Sequence, residues 1–108
     1  MKDRKDLLET AINLTYGDRA KDYGSPVENM NHIASIYNSI TGQSVSGSNV
    51  AQFMIAVKLA RRSTSPTKAD HYIDDMAYTG IEYECALAEA GTPAEYEAID
   101  GITTRIKA

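Results

Sequence analysis

The sequence predicts an all-α protein, a four-helix bundle with a short fifth helix at its C-terminus. Apolar residues recur at spacings of three and four in four segments, and residues typical of helix caps bound each segment. No segment alternates apolar and polar residues as a half-buried strand would. With 108 residues, 43% of them apolar and 24% charged, the chain has the size and composition of one globular domain, which we place at residues 1–108.

The first helix is predicted over residues 3–16, with Asp3 or Asp6 as its cap and Gly17 as its end. Its apolar stripe consists of Leu8, Ala11, Ile12 and Thr15.

The second helix starts at Ser-Pro-Val-Glu, where Ser25 fits the N-cap, Pro26 the first helical position and Glu28 a capping box. It should run to about Thr41, before Gly42. Its predicted core face consists of Met30, Ile33, Ile36 or Tyr37, and Ile40.

The third helix is predicted to start at Ser46 and is the most apolar of the chain. Between Val50 and Ala60 only Gln52 and Lys58 are polar. A helix that is apolar on nearly every side is buried on several sides, which predicts either a central position or a subunit interface.

The fourth helix follows a short Ser/Pro loop, with Thr67 and Asp70 matching a capping box and Gly91 as the stop. The core stripe of the fourth helix is predicted to contain Ile73, Met76, Ala77, Gly80 and Leu87.

A short fifth helix is predicted from Thr92 to Gly101.

Charge and composition limit the possible partners and the compartment. A net charge of −4 and a pI near 5.0 argue against broad binding to nucleic acid or membranes, and no motif indicates DNA binding. No apolar run reaches the roughly 18 residues that cross a bilayer, and no signal peptide is evident. The single cysteine, Cys85, excludes an internal disulfide, so we expect a cytoplasmic protein.

The fourth helix carries candidate metal ligands. Asp70, Asp74 and Tyr78 follow one another at four-residue spacing and therefore share one helical face. Two carboxylates placed in this way can share a hard cation such as Mg²⁺. The alternative is that Asp70 only caps the helix. The neighbouring Asp75 is a further candidate ligand, for which an exposed position facing water is the alternative.

The third helix carries candidate phosphate ligands. Lys58 lies in the middle of the apolar run, so its ammonium must reach solvent or an anion. That anion is either Asp74 on an antiparallel neighbour, as a structural ion pair, or a ligand phosphate. Arg61 and Arg62 occupy the last turn, where cations are favoured anyway, and Arg61 is the candidate to join a phosphate site.

Two further groups are candidates. Glu28 and His32, four residues apart, could add metal ligands, although Glu28 is explained by its cap, and both His32 and His71 are explained by solvation. In the loop R-A-K-D-Y-G, basic side chains could hold phosphates while an aromatic ring stacks on a base, although a plain solvated turn explains the loop equally well. The loop residues concerned are Arg19, Lys21, Tyr23 and Gly24.

The stretches R-A-K-D-Y-G-S-P-V-E-N, M-I-A-V-K-L-A-R and D-H-Y-I-D-D-M-A-Y resemble a family of small, uncharacterised phage proteins. Members of that family carry K-D-Y-G, a following E-N, a K-x-x-R helix and a D-x-x-x-D-x-x-x-Y helix. The family is in turn distantly similar to the MazG-like all-α nucleoside triphosphate pyrophosphatases and to nucleotide-modification-associated domains of phages. The resemblance covers roughly residues 19–85.

The resemblance implies a MazG-like bundle and a Mg²⁺-dependent nucleoside triphosphate pyrophosphatase. The implied catalytic residues are Lys58 and Arg61, and the implied metal ligands are Glu28, Asp70 and Asp74. The implied nucleotide-binding residues are Lys21, Tyr23 and Tyr78, to which the loop composition adds Arg19. MazG-like enzymes hold Mg²⁺ with an E-x-x-E pair and an E-x-x-D pair. Here Asn31 and His71 stand where an acid is expected in each pair.

Three functions therefore stay open. They are hydrolysis of a nucleotide, metal-independent binding of a nucleotide, and a helical module that contacts another protein. The apolar third helix and the resemblance both predict a homodimer or a higher homo-oligomer, with a two-fold dimer as the default.

Overall fold

The computed structural model describes residues 3–16 and 24–91, which form four α-helices. These are α1 (Arg4–Tyr16), α2 (Pro26–Thr41), α3 (Gly47–Thr64) and α4 (Ala69–Ala90). The described residues contain no strand, so the all-α prediction is confirmed for them, as are the four predicted helices. The predicted fifth helix lies outside the described residues.

Side-chain and glycine caps fix the ends of α2 and α3. Ser25 Oγ accepts the backbone N–H of Glu28 at 3.4 Å, and Gly42 closes α2 in the left-handed region with φ of 75°. At the start of α3, Ser46 and Asn49 form a reciprocal capping box. Ser46 Oγ accepts the Asn49 N–H at 3.2 Å, while Asn49 Oδ1 accepts the Ser46 N–H at 3.0 Å.

The capping box predicted at Thr67 and Asp70 is wrong. The N-cap of α4 is Lys68, which makes no side-chain cap hydrogen bond. The helix begins one residue later than that box requires, after a turn in which the Lys68 N–H donates to the Ser65 carbonyl at 3.2 Å.

The helix α4 is the one against which the other three pack. Its longest contact is with α3, which runs antiparallel to it; α2 packs mainly on α3 and partly on α4. Among the described helices, α1 contacts α4 alone. Of the two alternatives for the third helix, the central position is not the one observed among the described helices, because α4 holds it. The outer side of α3 leaves Phe53 69% exposed.

The apolar core is small and lies where α2, α3 and α4 meet. Met30, Ala51 and Cys85 form its buried cluster. Around them pack the partly buried side chains of Val27, Val50, Tyr78 and Ile81.

Much of the apolar stripe predicted for α1 and of the core face predicted for α2 is exposed. On α1 only Ala11 is buried, while Leu8 and Ile12 keep half or more of their surface in solvent. On α2, Met30 is buried together with Ala34, which was not predicted. The side chains of Ile33, Ile36, Tyr37 and Ile40 are exposed. The apolar stripe of α2 is broader than its contact with α3, so the prediction of its core face is wrong for these four.

The predicted core stripe of α4 is correct for Ile73, which is buried. Met76, Ala77 and Leu87 are half-buried, and Gly80 is exposed beside an apolar groove of about 170 Å³ between α1 and α4. Across the described residues, no helix combines the length and apolarity that a membrane span needs.

Burial at Cys85 generates a prediction about its thiol. Burial raises the pKa of Cys85, and the carboxylates of Glu89, Glu84 and Glu82 raise it further. A disulfide reagent at neutral pH should therefore label the native protein at least about 100-fold more slowly than the urea-unfolded protein, because the thiolate is the reactive form. The unfolded thiol ionises first, so the free energy of unfolding should fall as pH rises past the ordinary thiol pKa.

Candidate functional site

An ion pair between Lys58 and Asp74 joins the middle of α3 to the first half of α4. Lys58 Nζ lies 2.9 Å from Asp74 Oδ2, and the two side chains are only 12% and 21% exposed. Of the alternatives that the sequence left open for Lys58, the partner on an antiparallel neighbour is the one observed. A partly buried pair is screened less by solvent than a surface pair, so its two charges interact strongly.

A second ion pair lies one turn further along α3, between Arg62 and Asp75. The Arg62 guanidinium also lies over the Tyr72 ring, 4.5 Å from its centroid. The Tyr72 hydroxyl donates to the Pro66 carbonyl at 2.8 Å, which ties the α3–α4 loop to this cluster.

This second pair corrects the expectation that Asp75 faces water, since its side chain is only 19% exposed. Of the two arginines, Arg62 lies four residues after Lys58 and faces α4, whereas Arg61 is exposed. The choice of Arg61 for a phosphate site stays a prediction.

Among the described residues, two buried side-chain nitrogens have no hydrogen-bond partner: Arg62 Nε and His71 Nδ1. His71 is half-buried, so it is less solvated than the sequence analysis expected. Its ring lies on α4 three residues before Asp74, close to the two ion pairs in sequence.

The remaining predicted site residues are distributed as follows. Asp70 is exposed in the first turn of α4, and Tyr78 packs against the Met30–Ala51–Cys85 cluster. Glu28 is exposed in the first turn of α2, and His32 is exposed on the same helix. Arg19, Lys21 and Tyr23 lie outside the described residues.

The acids do not converge into a protein-built metal cage. Within residues 3–16 and 24–91, no group of three or more His, Cys, Asp or Glu side chains is placed to hold a metal ion. Glu28, Asp70 and Asp74 are therefore not brought together as a trio within one chain. Asp70 and Asp74 keep the shared face that their four-residue spacing predicts.

A polar cleft of about 510 Å³, which the sequence analysis missed, lies between α2 and the start of α3. Its polar lining consists of Asn31, Ser35, Asn38, Ser39, Ser46 and Glu89. Glu89 accepts the Ser48 backbone N–H at 3.2 Å and the Ser48 hydroxyl at 2.8 Å, so its carboxylate complements the positive end of the α3 dipole. Because Ser48 and Glu89 are 41 residues apart, no local sequence signal could have revealed this contact.

Asn38 and Asn31 shape the same cleft. The Asn38 amide donates to the Val45 carbonyl at 3.0 Å and accepts the Val45 N–H at 2.9 Å, which holds the α2–α3 loop as a backbone partner would. Asn31 lies so close to Gly47 that a Cβ there would overlap its side chain. Asn31 therefore stands at a close contact between α2 and α3.

Comparison with known proteins gives a family and two phage relatives. The family model described as a domain of unknown function (DUF6378) matches residues 6–86. The Gene 55 protein of Mycobacterium phage D29 is 29% identical over 102 residues, 94% of this chain and 68% of that protein. The Gene 55 protein of Mycobacterium phage L5 is 32% identical over 84 residues, 77% of this chain and 54% of that protein. These matches confirm the resemblance to small phage proteins, and the chain spans only about half to two thirds of these two relatives.

No solved structure matches the chain. The similarity to MazG-like enzymes therefore stays a prediction.

The Lys58–Asp74 pair should contribute strongly to stability. Lys58→Met or Asp74→Asn alone should lower the free energy of unfolding by about 2–3 kcal/mol. This is somewhat less than the cost of breaking a fully buried pair, because Asp74 keeps some solvent contact. The double variant should lose clearly less than the sum, which leaves a coupling energy above about 1 kcal/mol in a urea-unfolding double-mutant cycle.

The surface pair Lys5–Glu9 is the matched control. Its charges are 4.0 Å apart, with side chains 79% and 59% exposed. The same cycle there should give a coupling below about 0.5 kcal/mol. Equal coupling energies for the two pairs would contradict the account of a shielded Lys58–Asp74 contact.

Proposed function

This chain belongs to the DUF6378 family, and we propose that it is a Mg²⁺-dependent nucleotide hydrolase of the pyrophosphohydrolase type. The reaction would cleave the bond between the α and β phosphates of a nucleoside triphosphate. The observation that supports the proposal most is the shielded Lys58–Asp74 pair, in which a lysine ammonium is held by one carboxylate beside a second acid, Asp70, on the same face of α4.

Lys58 is the proposed phosphate ligand. An ammonium has three donors, so Lys58 can keep its bond to Asp74 while it donates to a phosphate oxygen. Asp74 would hold the ammonium in place before the substrate binds, which reduces the entropy lost on binding. The exposed Arg61, one turn along α3, would add positive charge where the outer phosphates lie.

Asp70 and Asp74 are the proposed metal ligands on this chain. Mg²⁺ typically takes one or two protein carboxylates and completes its shell with waters and substrate phosphates, so a pair fits where a protein cage is lacking. When bound, the ion would neutralise phosphate charge and acidify a coordinated water. Glu28, exposed on α2, is proposed as a third acid of this site.

The proposed nucleotide-binding role of four aromatic and basic residues rests on the resemblance and, for Arg19, on the composition of its loop. Tyr78 lies on the Asp70–Asp74 face of α4, with its ring against the core cluster. Arg19, Lys21 and Tyr23 belong to the R-A-K-D-Y-G segment and are proposed to contact phosphate and base.

Metal-independent binding of a nucleotide is the second candidate function. It is favoured by the lack of a three-acid group among the described residues and by the neutral Asn31 and the half-buried His71 at positions where MazG-like enzymes have acids. In this alternative Lys58 and Arg61 hold the phosphates, and no water is activated.

The hydrolase proposal predicts pyrophosphate release from at least one member of a panel of ribo- and deoxyribonucleoside triphosphates in the presence of Mg²⁺. Asp70→Asn should lower the rate at least about 100-fold, because charge stabilisation by a metal is worth several kcal/mol. Its melting temperature should match the wild type, since Asp70 is exposed. Glu84→Gln, an exposed acid later on α4, is the matched control and should retain full activity.

The outcomes separate the two candidates. Pyrophosphate release by the wild type and by Glu84→Gln, but not by Asp70→Asn, supports hydrolysis at this face. No release from any triphosphate would overturn the hydrolase. A nucleotide-dependent rise in melting temperature that persists in EDTA would then identify metal-independent binding.

A further inference from the structure

The helix α2 presents an exposed apolar stripe to solvent. Its members are Ile33, Ile36, Tyr37 and Ile40, with 39%, 48%, 47% and 78% of their surfaces exposed. Their spacing of three, four and seven residues is that of a seam in helix–helix packing. Within one chain α2 contacts the core through Met30 and Ala34. At about 100° per residue the stripe lies on the adjoining flank of the helix, and Tyr37 lies at the border between the two.

The stripe lies in a part of the chain that has no charged residues. From position 29 to position 57 the sequence contains no Asp, Glu, Lys or Arg, although 24% of the whole chain is charged. The run covers nearly all of α2 and the first half of α3, including Phe53, which is 69% exposed. Exposed surfaces of monomers usually carry charges, and depletion of charge together with exposed aromatic side chains is typical of the core of a protein–protein interface.

We propose that this charge-free surface is where a second copy of the chain packs, with α2 against α2 around a two-fold axis. Each chain carries a net charge of −4, so two copies repel each other over most of their surfaces. The charge-free surface is where two identical chains meet without placing like charges opposite each other. A partner recognised through complementary charge would have no group to pair with here.

The two-fold arrangement assigns positions along α2. In an antiparallel pair, Ile36 and Tyr37 lie nearest the axis, and Ile33 lies opposite Ile40 of the partner subunit. The stripe spans only about 10 Å of helix. A stable interface buries about 800 Å² per partner, more than four side chains supply, so the interface extends onto Phe53 of α3. This assignment does not depend on the proposed nucleotide chemistry.

The test compares the wild type, Ile36→Glu, Ile36→Lys and an equal mixture of the two variants by light scattering and sedimentation. The wild type should be a dimer. Each variant alone should dissociate at least about 100-fold more readily, because like charges meet at the axis. The mixture should dimerise again, because the glutamate of one copy meets the lysine of the other. Phe53→Glu should also weaken the dimer.

Leu14→Glu is the matched control. Leu14 is 46% exposed on α1, close to the value for Ile36, and lies outside the charge-free run. That variant should stay dimeric, and circular dichroism should show native helicity for all variants. A wild type that remains monomeric at about 100 μM, well above the Kd of a modest interface, would overturn the proposal. So would Ile36 variants that dimerise as well as Leu14→Glu, or a mixture that stays monomeric.

Discussion

The need to neutralise one lysine in an apolar helix is the constraint on which the arrangement of α3 and α4 depends. Lys58 faces α4 with its side chain only 12% exposed, so an unpaired ammonium there would carry a desolvation cost of several kcal/mol. Asp74 removes most of that cost only when the helices run antiparallel in one register. The Arg62–Asp75 pair requires the same register, and so does the contact of Ser48 with Glu89 at the other end. Polar contacts therefore fix the register of α3 against α4, the most extensive contact between two described helices.

That alignment decides what the other helices can do. With α3 along one side of α4, α2 closes the Met30–Ala51–Cys85 cluster at their junction, while α1, among the described helices, packs only on α4. Neither arrangement covers the apolar stripe of α2. The same architecture thus gives a small core between helices that polar contacts hold in register. It also gives a face of α4 with two acids beside the paired lysine, which supports the proposed nucleotide site. The exposed surface of α2 without charge favours the proposed self-association.

Local sequence signals predicted the elements well and their packing poorly. Ser25-Pro26, Gly42 and Gly91 mark helix ends by backbone chemistry alone, so those ends could be read directly. The Lys58–Asp74 pair could be predicted from the sequence as one alternative, because a lysine in an apolar run needs an anionic partner. The side of α2 that is buried could not be predicted, since an apolar stripe looks the same in sequence whether it faces a core or another subunit. Asp75 was expected to face water because its contact with Arg62 depends on how α3 is rotated against α4, which the sequence does not show. The contact of Glu89 with Ser48 likewise depends on the register between the two helices.

The proposed site depends on a lysine ammonium that Asp74 holds, shielded from water and within reach of a phosphate. Nitrogen-15 NMR of lysine side-chain ammonium groups observes that atom directly. We expect a slowly exchanging Lys58 ammonium signal that disappears in Asp74→Asn and shifts when a nucleoside triphosphate is added. An ammonium that exchanges as fast in the wild type as in Asp74→Asn, and does not respond to any triphosphate, would contradict it.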